Sequence, residues 1–112
     1  MLSAVAITHD GLVATDLRGR IVYFSAATEA ITGHSAAEAR GLSAADFYQG
    51  GREEAAALMD RMNRDGEVRN HCTSLVTRDG GRVAVTITVL PLRDPAGAVI
   101  GTLGVVGRHP QG

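Results

Sequence analysis

Cys72 directly follows His71 in the segment "EVRNHCTSLVTR", residues 67 to 78, and a thiol beside an imidazole is a pairing that nucleophilic catalysis uses. The segment reads as a β-strand, on which neighbouring side chains point to opposite faces. His71 is therefore badly placed to act as a base for Cys72, and no thiol enzyme is predicted. Alternation puts Val68, Asn70, Cys72, Ser74 and Val76 on one face and Arg69, His71, Thr73, Leu75 and Thr77 on the other. The first set is smaller and less charged, so it is expected to face inward, with Cys72 as a small buried hydrophobe.

The other reactive side chains are scattered. The four histidines are His9, His34, His71 and His109, and no two have a ligand spacing, so no metal site is predicted. A single cysteine rules out an internal disulfide and a CxxC knuckle. All 11 basic residues are Arg, against 12 acidic ones, for a formal net charge of −1. Nucleic acid is not an expected partner, because phosphate binding needs clustered positive charge. The opening "MLSAVAITHDG" lacks the basic and long apolar regions of a secretory signal. No run approaches the ~20 apolar residues of a membrane span. The expected setting is the cytoplasm, with no membrane partner.

The elements that must position these residues can be read from the pattern. At 112 residues, 45% of them hydrophobic, the chain suits one domain with one modest core. Residues 1 to 10 read as a lead-in or short helix, 11 to 108 as the domain, and 109 to 112 as a tail. "GLVATD" and "IVYFS" flank a Gly19 turn as a hairpin. Ser25 then caps a helix that Gly33 ends. "SAAE" (35 to 38) and "SAAD" (43 to 46) each carry the capping-box spacing, Ser followed three residues later by an acid. "GREEAAALMDRMNRDG" (51 to 66) is the one substantial helix, with Ala55, Leu58, Met59 and Met62 on a common stripe.

Three strands in a meander finish the chain. Pro91 suits an edge, a bulge or a strand outlet, since it has no N–H for a ladder. Asp94-Pro95-Ala96-Gly97 is turn chemistry, with Gly97 free to take a positive φ. Two strands, several helices and three strands predict an α+β domain: a five-stranded antiparallel sheet with short helices and one longer helix on one face. Both faces of the last two strands are apolar, which predicts that both are covered. Helices cover one. The outer face, with the N-terminal segment, is expected to meet a second copy of the chain.

The order of these signals resembles the PAS domain family from about residue 10 to residue 108. "DLRGRI" (16 to 21) is similar to the family's first hairpin. "SAATEAITGH" (25 to 34) is similar to its next helix, with Ser25 for the usual Asn and His34 for the usual Tyr. Ser35, Glu38 and Gly41 match the next short helix, and "RDGGRVAV" with "LPLRDPAGAVIGTLGVV" matches the late strands. The resemblance implies a sheet curled around a small cavity closed by helices. It implies a non-enzymatic sensor or dimerisation module of a bacterial signalling protein such as a histidine kinase, cyclase or transcription regulator. Ile31, His34, Phe47, Met59, Met62, Cys72 and Ile87 are the expected cavity-lining residues around a small apolar ligand.

Two cofactors of the family are argued against. Its flavin photosensors place a reactive Cys in the short helix before the long one, where "SAADFYQGG" has none, and FAD-binding relatives usually carry a Trp that this chain lacks. Haem-binding relatives take an axial His from the long helix or the helix before it, and residues 43 to 65 contain no His. The family usually continues past "GRHPQG" into a coiled-coil linker, so an output domain is the expected partner. A ligand-free homodimerisation or protein-interaction module is the alternative, with a small enzyme or a haem-binding sensor ranked behind it.

Overall fold

The computed structural model describes residues 10 to 108, so the expected lead-in helix and tail lie outside the described residues apart from Asp10. Five strands form one antiparallel sheet: β1 (Gly11–Asp16), β2 (Ile21–Phe24), β3 (Val68–Val76), β4 (Arg82–Arg93) and β5 (Val99–Arg108). Their spatial order is β2-β1-β5-β4-β3, so the last strand in sequence is the middle of the sheet. Between β2 and β3 the chain makes α1 (Ala26–Thr32), α2 (Ala36–Ala39), a 3-10 turn (Ala44–Phe47) and α3 (Gly51–Asp65). This segment starts at one edge of the sheet and ends at the other, crossing a single face.

Local chemistry sets the helix boundaries. Ser25 Oγ accepts from Thr28 N, and Gly33, at φ 81°, ends α1. Ser25 also accepts from Leu12 N, while Thr28 Oγ1 donates to Leu12 O, which ties α1 to β1. At α2 the capping box is closed, with Ser35 and Glu38 each accepting the other's backbone N–H. The second expected box does not close. Ser43 accepts from Ala45 N, and the segment winds as a 3-10 turn with Asp46 exposed. Asp is one methylene shorter than Glu, and a single tight turn gives it no route back to the cap N–H.

Register follows the apolar pattern in β4, where Val85, Ile87 and Val89 are buried on the helix side. β3 corrects the expectation for Cys72. Its pairing skips between Val68↔Val89 and His71↔Ile87, and Asn70 takes a φ of 53° in this bulge. The extra residue flips the phase of everything beyond it. Val68 and Leu75 are therefore both buried, although strict alternation would oppose them. Beyond the bulge the inward set is His71, Thr73 and Leu75, and Cys72 is exposed on the outer face opposite Thr86. Asn tolerates the left-handed region better than most residues, which suits it to this position.

Pro91 lies two residues past the last β3–β4 rung, where β4 pairs only with β5. The following turn is held by Asp94 Oδ1, which accepts from Ala96 N and Ala98 N, with Gly97 at φ 93°. The core is one cluster that includes Ile21, Phe24, Phe47, Leu58, Val85 and Ile87. Where β5 passes β1, a Cβ on Gly101 would stand 1.8 Å from Thr15 O, whereas one on Gly104 would stand 3.6 Å from Val13 O, an ordinary contact. Gly101→Ala is therefore expected to cost about 3 kcal/mol or more in urea unfolding, and Gly104→Ala under about 1 kcal/mol. Equal losses at the two positions would show that the close β1–β5 approach is wrong.

Candidate functional site

Crossing the sheet does not fill the space above it. A cavity of about 930 Å³ lies between the sheet and the helical segment. Its floor is inward-facing sheet, notably Val13, Ile87, Val89, Gly104 and Val106, and its cover includes Phe47, Leu58, Met59 and Met62. Small side chains explain the unfilled space. α3 presents Ala55 and Ala56 to it, and β5 presents Gly104 at the sheet centre. Volumes of roughly 300–1,000 Å³ with apolar walls and a few polar groups are usual for small-molecule sites.

The expected lining residues divide. Phe47, Met59, Met62 and Ile87 line the cavity. Ile31 is 6% exposed and packs in the core cluster, away from the cavity wall. His34 stands behind Phe47, its ring edge-on at 5.0 Å between centroids, with Nε2 at 3.3 Å from Val76 O. Cys72 is removed from the cavity by the β3 bulge. No described His or Cys lines the cavity, and Asn63 is its single side-chain amide. Among the described residues no three His, Cys, Asp or Glu side chains gather in a way that would hold a metal ion.

Sequence reasoning missed the polar part of the wall. Thr15, Thr28, Thr32 and Thr102 line the cavity. Thr15 and Thr102 hydroxyls pair at 2.7 Å, and Thr32 Oγ1 donates to Thr28 O at 2.9 Å. Thr28 and Thr32 stand four apart on α1, a spacing that was legible. The Thr15–Thr102 pair exists only because β5 returns beside β1, a contact across 87 positions. Tyr48 and Arg52, flanking the two-glycine step into α3, also line the cavity. Burial first, and then the nearby Glu54 carboxylate, push the Tyr48 phenol up to about 12. It stays a protonated donor at any ordinary pH.

Behind the cavity, α3 is locked to β3 through an ionisable pair. His71 Nε2 lies 2.7 Å from Glu54 Oε2, and Arg61 Nη1 lies 3.4 Å from His71 Nδ1. Glu54 Oε1 also accepts from the backbone N–H of Gly50, the N-cap residue of α3, which has no side chain to cap the helix. Burial raises the Glu54 carboxyl, but hydrogen bonds from Thr73, His71 and the Gly50 N–H outweigh it and hold the group below its ordinary value of 4.5.

Comparison with known proteins follows from this geometry. The PAS fold family profile matches residues 1–108. No curated protein matches the chain significantly. Among solved structures, a PAS domain from Colwellia psychrerythraea superposes with a TM-score of 0.82 at 20% identity, covering 99% of this chain and 97% of that one. A light-oxygen-voltage domain studied with a flavin analogue superposes at 0.75 and 22% identity, covering 98% and 84%. The light-state dimer of the fungal blue-light photoreceptor Vivid superposes at 0.71 and 23% identity, covering 88% and 77%.

The depressed Glu54 pKa sets a pH dependence. Because the folded value lies below the unfolded one, the unfolded chain binds more protons, and stability rises with pH through that window. The contribution is full above about pH 5 and is lost as pH falls through the folded value. Thermal melting of Glu54→Gln against the parent is expected to show a deficit at pH 7 that narrows below about pH 4. A deficit independent of pH would mean that the carboxylate charge contributes nothing.

Proposed function

The chain belongs to the PAS family, and on that premise we propose that it is a sensor module that holds a small, largely apolar molecule in the cavity between α3 and the sheet. The observation that carries this is the cavity itself, about 930 Å³, walled by Phe47, Leu58, Met62, Ile87 and Val89. Its occupant touches both α3 and the central strand β5. Gain or loss of the occupant biases the spacing of α3 against the sheet, and an output domain of a bacterial signalling protein reads the change. The module itself performs no catalysis. In support, the exposed Cys72 thiol has no imidazole on its face of β3, and His71 is committed to Glu54 and Arg61. The cytoplasm is the proposed setting, and no described helix is long and apolar enough to cross a membrane.

Likeness to light-oxygen-voltage domains raises flavin as an occupant. The residues present fit it poorly. No thiol faces the cavity, and one amide, Asn63, is on hand for a ring system rich in donors and acceptors. Haem fits no better, since none of the described histidines lines the cavity.

A second reading is favoured by the outer sheet face. Leu12, Leu90, Leu103 and Val105 sit on it in register, beside Cys72 and Thr86. A face of this composition suits a second copy of the chain, as a homodimer whose cavity holds nothing. Native mass spectrometry with an absorption spectrum on freshly purified protein separates the two. An added mass is expected, without a flavin or haem band. A dimer of bare chains would instead support the assembly reading, and a flavin-shaped band would overturn the choice of occupant.

A further inference from the structure

We propose that the cavity takes an amphipathic monocarboxylate, with its carboxylate at Tyr48 and Arg52 and its apolar body along Ala55, Met59 and Met62. The inference rests on the ligand-binding reading above and names the chemical class of the occupant.

The deep wall argues for an apolar body. Of its four hydroxyls, Thr28 donates to Leu12 O, Thr32 donates to Thr28 O, and Thr15 and Thr102 pair with each other. That leaves one hydroxyl proton uncommitted, so a ligand with a large polar edge would lose hydrogen bonds to water that the wall does not replace. The mouth is apolar too. Met59, Leu42, Val99 and Leu17 line it while remaining 40%, 44%, 42% and 73% exposed. Large apolar side chains gathered at the opening suit a chain that passes between them.

The polar end is chosen among the charged side chains that line the cavity, Asp16, Arg18, Arg20, Asp46 and Arg52. Asp16 is occupied by the Arg18 and Arg20 backbone N–H groups, and Arg20 donates to Gly41 O. Asp46 is exposed to solvent, and Glu54, which does not line the cavity, is engaged by His71 and Gly50. Arg18 also lines the cavity, from the β1–β2 turn, whereas Arg52 stands on α3, the helix that carries Ala55, Met59 and Met62. Arg52 makes no salt bridge among the described residues, with neither Asp46 nor Glu54, and the Tyr48 hydroxyl has no hydrogen-bond partner among them. A guanidinium and a phenol proton left open in the wall of an apolar cavity, four positions apart at the start of α3, suit a carboxylate, which takes Arg in a planar, two-point contact. A wholly apolar occupant would leave both groups unused.

Calorimetric titration with decanoate and with uncharged decanol tests this on the parent chain, Arg52→Gln and Tyr48→Phe, each checked for unchanged melting. Decanoate is expected to bind the parent about tenfold or more tighter than decanol. Arg52→Gln is expected to abolish that gap, and Tyr48→Phe to narrow it several-fold, with decanol affinity unchanged in both. Equal binding of the two probes, or a gap that survives Arg52→Gln, would overturn the carboxylate while leaving a ligand-binding cavity in place. Binding of neither probe to a protein that carries another added mass would do the same. Binding of neither, with no added mass, would overturn the cavity reading as well.

Discussion

The crossing from β2 at one edge of the sheet to β3 at the other governs the rest of the structure. The chain must travel the full width of five strands over one face, and it does so in short pieces rather than one long helix. Each piece is pinned where it passes the sheet: α1 to β1 through Ser25 and Thr28, and α3 to β3 through Glu54 and His71. Between those pins the cover includes small residues such as Gly41, Ser43, Ala44 and Ala45 beside Phe47. It spans the sheet without filling the space beneath, and the unfilled space is the cavity. A bulkier crossing would have closed the core and removed the site.

Much of this was legible in the sequence because it depends on neighbours a few residues apart. The Ser25 and Ser35 caps, the Asp94–Gly97 turn and the α3 stripe need nothing beyond local chemistry. The β3 phase was hidden because alternation assumes an unbroken ladder, and one bulge at Asn70 inverts it. Hence Cys72, expected inside, faces out, while His71, expected outside, reaches α3. Ile31 and His34, expected in the wall, pack elsewhere, Ile31 in the core cluster and His34 behind Phe47. Tyr48 and Arg52 gave no periodic signal at all. Their place in the cavity wall is set by the step from the 3-10 turn into α3, which only the assembled structure displays.

The His71–Glu54 pair shows how the two sides of the domain are coupled. Nε2 of His71 is turned to the Glu54 carboxylate and Nδ1 to the Arg61 guanidinium. The helix that covers the cavity is thereby held to the edge strand at a half-buried position. On the sensor reading proposed above, a change in how α3 rests on an occupant would reach β3 through this pair, and β4 and β5 through the ladder.

On the sensor reading, the core is completed by a molecule that is not protein. The direct measurement is the melting temperature of the purified chain before and after unfolding in denaturant, dialysis and refolding. A molecule bound only by the folded state raises the melting temperature, and its removal lowers it. The account expects the refolded chain to melt several degrees lower and to recover when the dialysed extract is returned. Identical melting before and after, with full refolding, would contradict it.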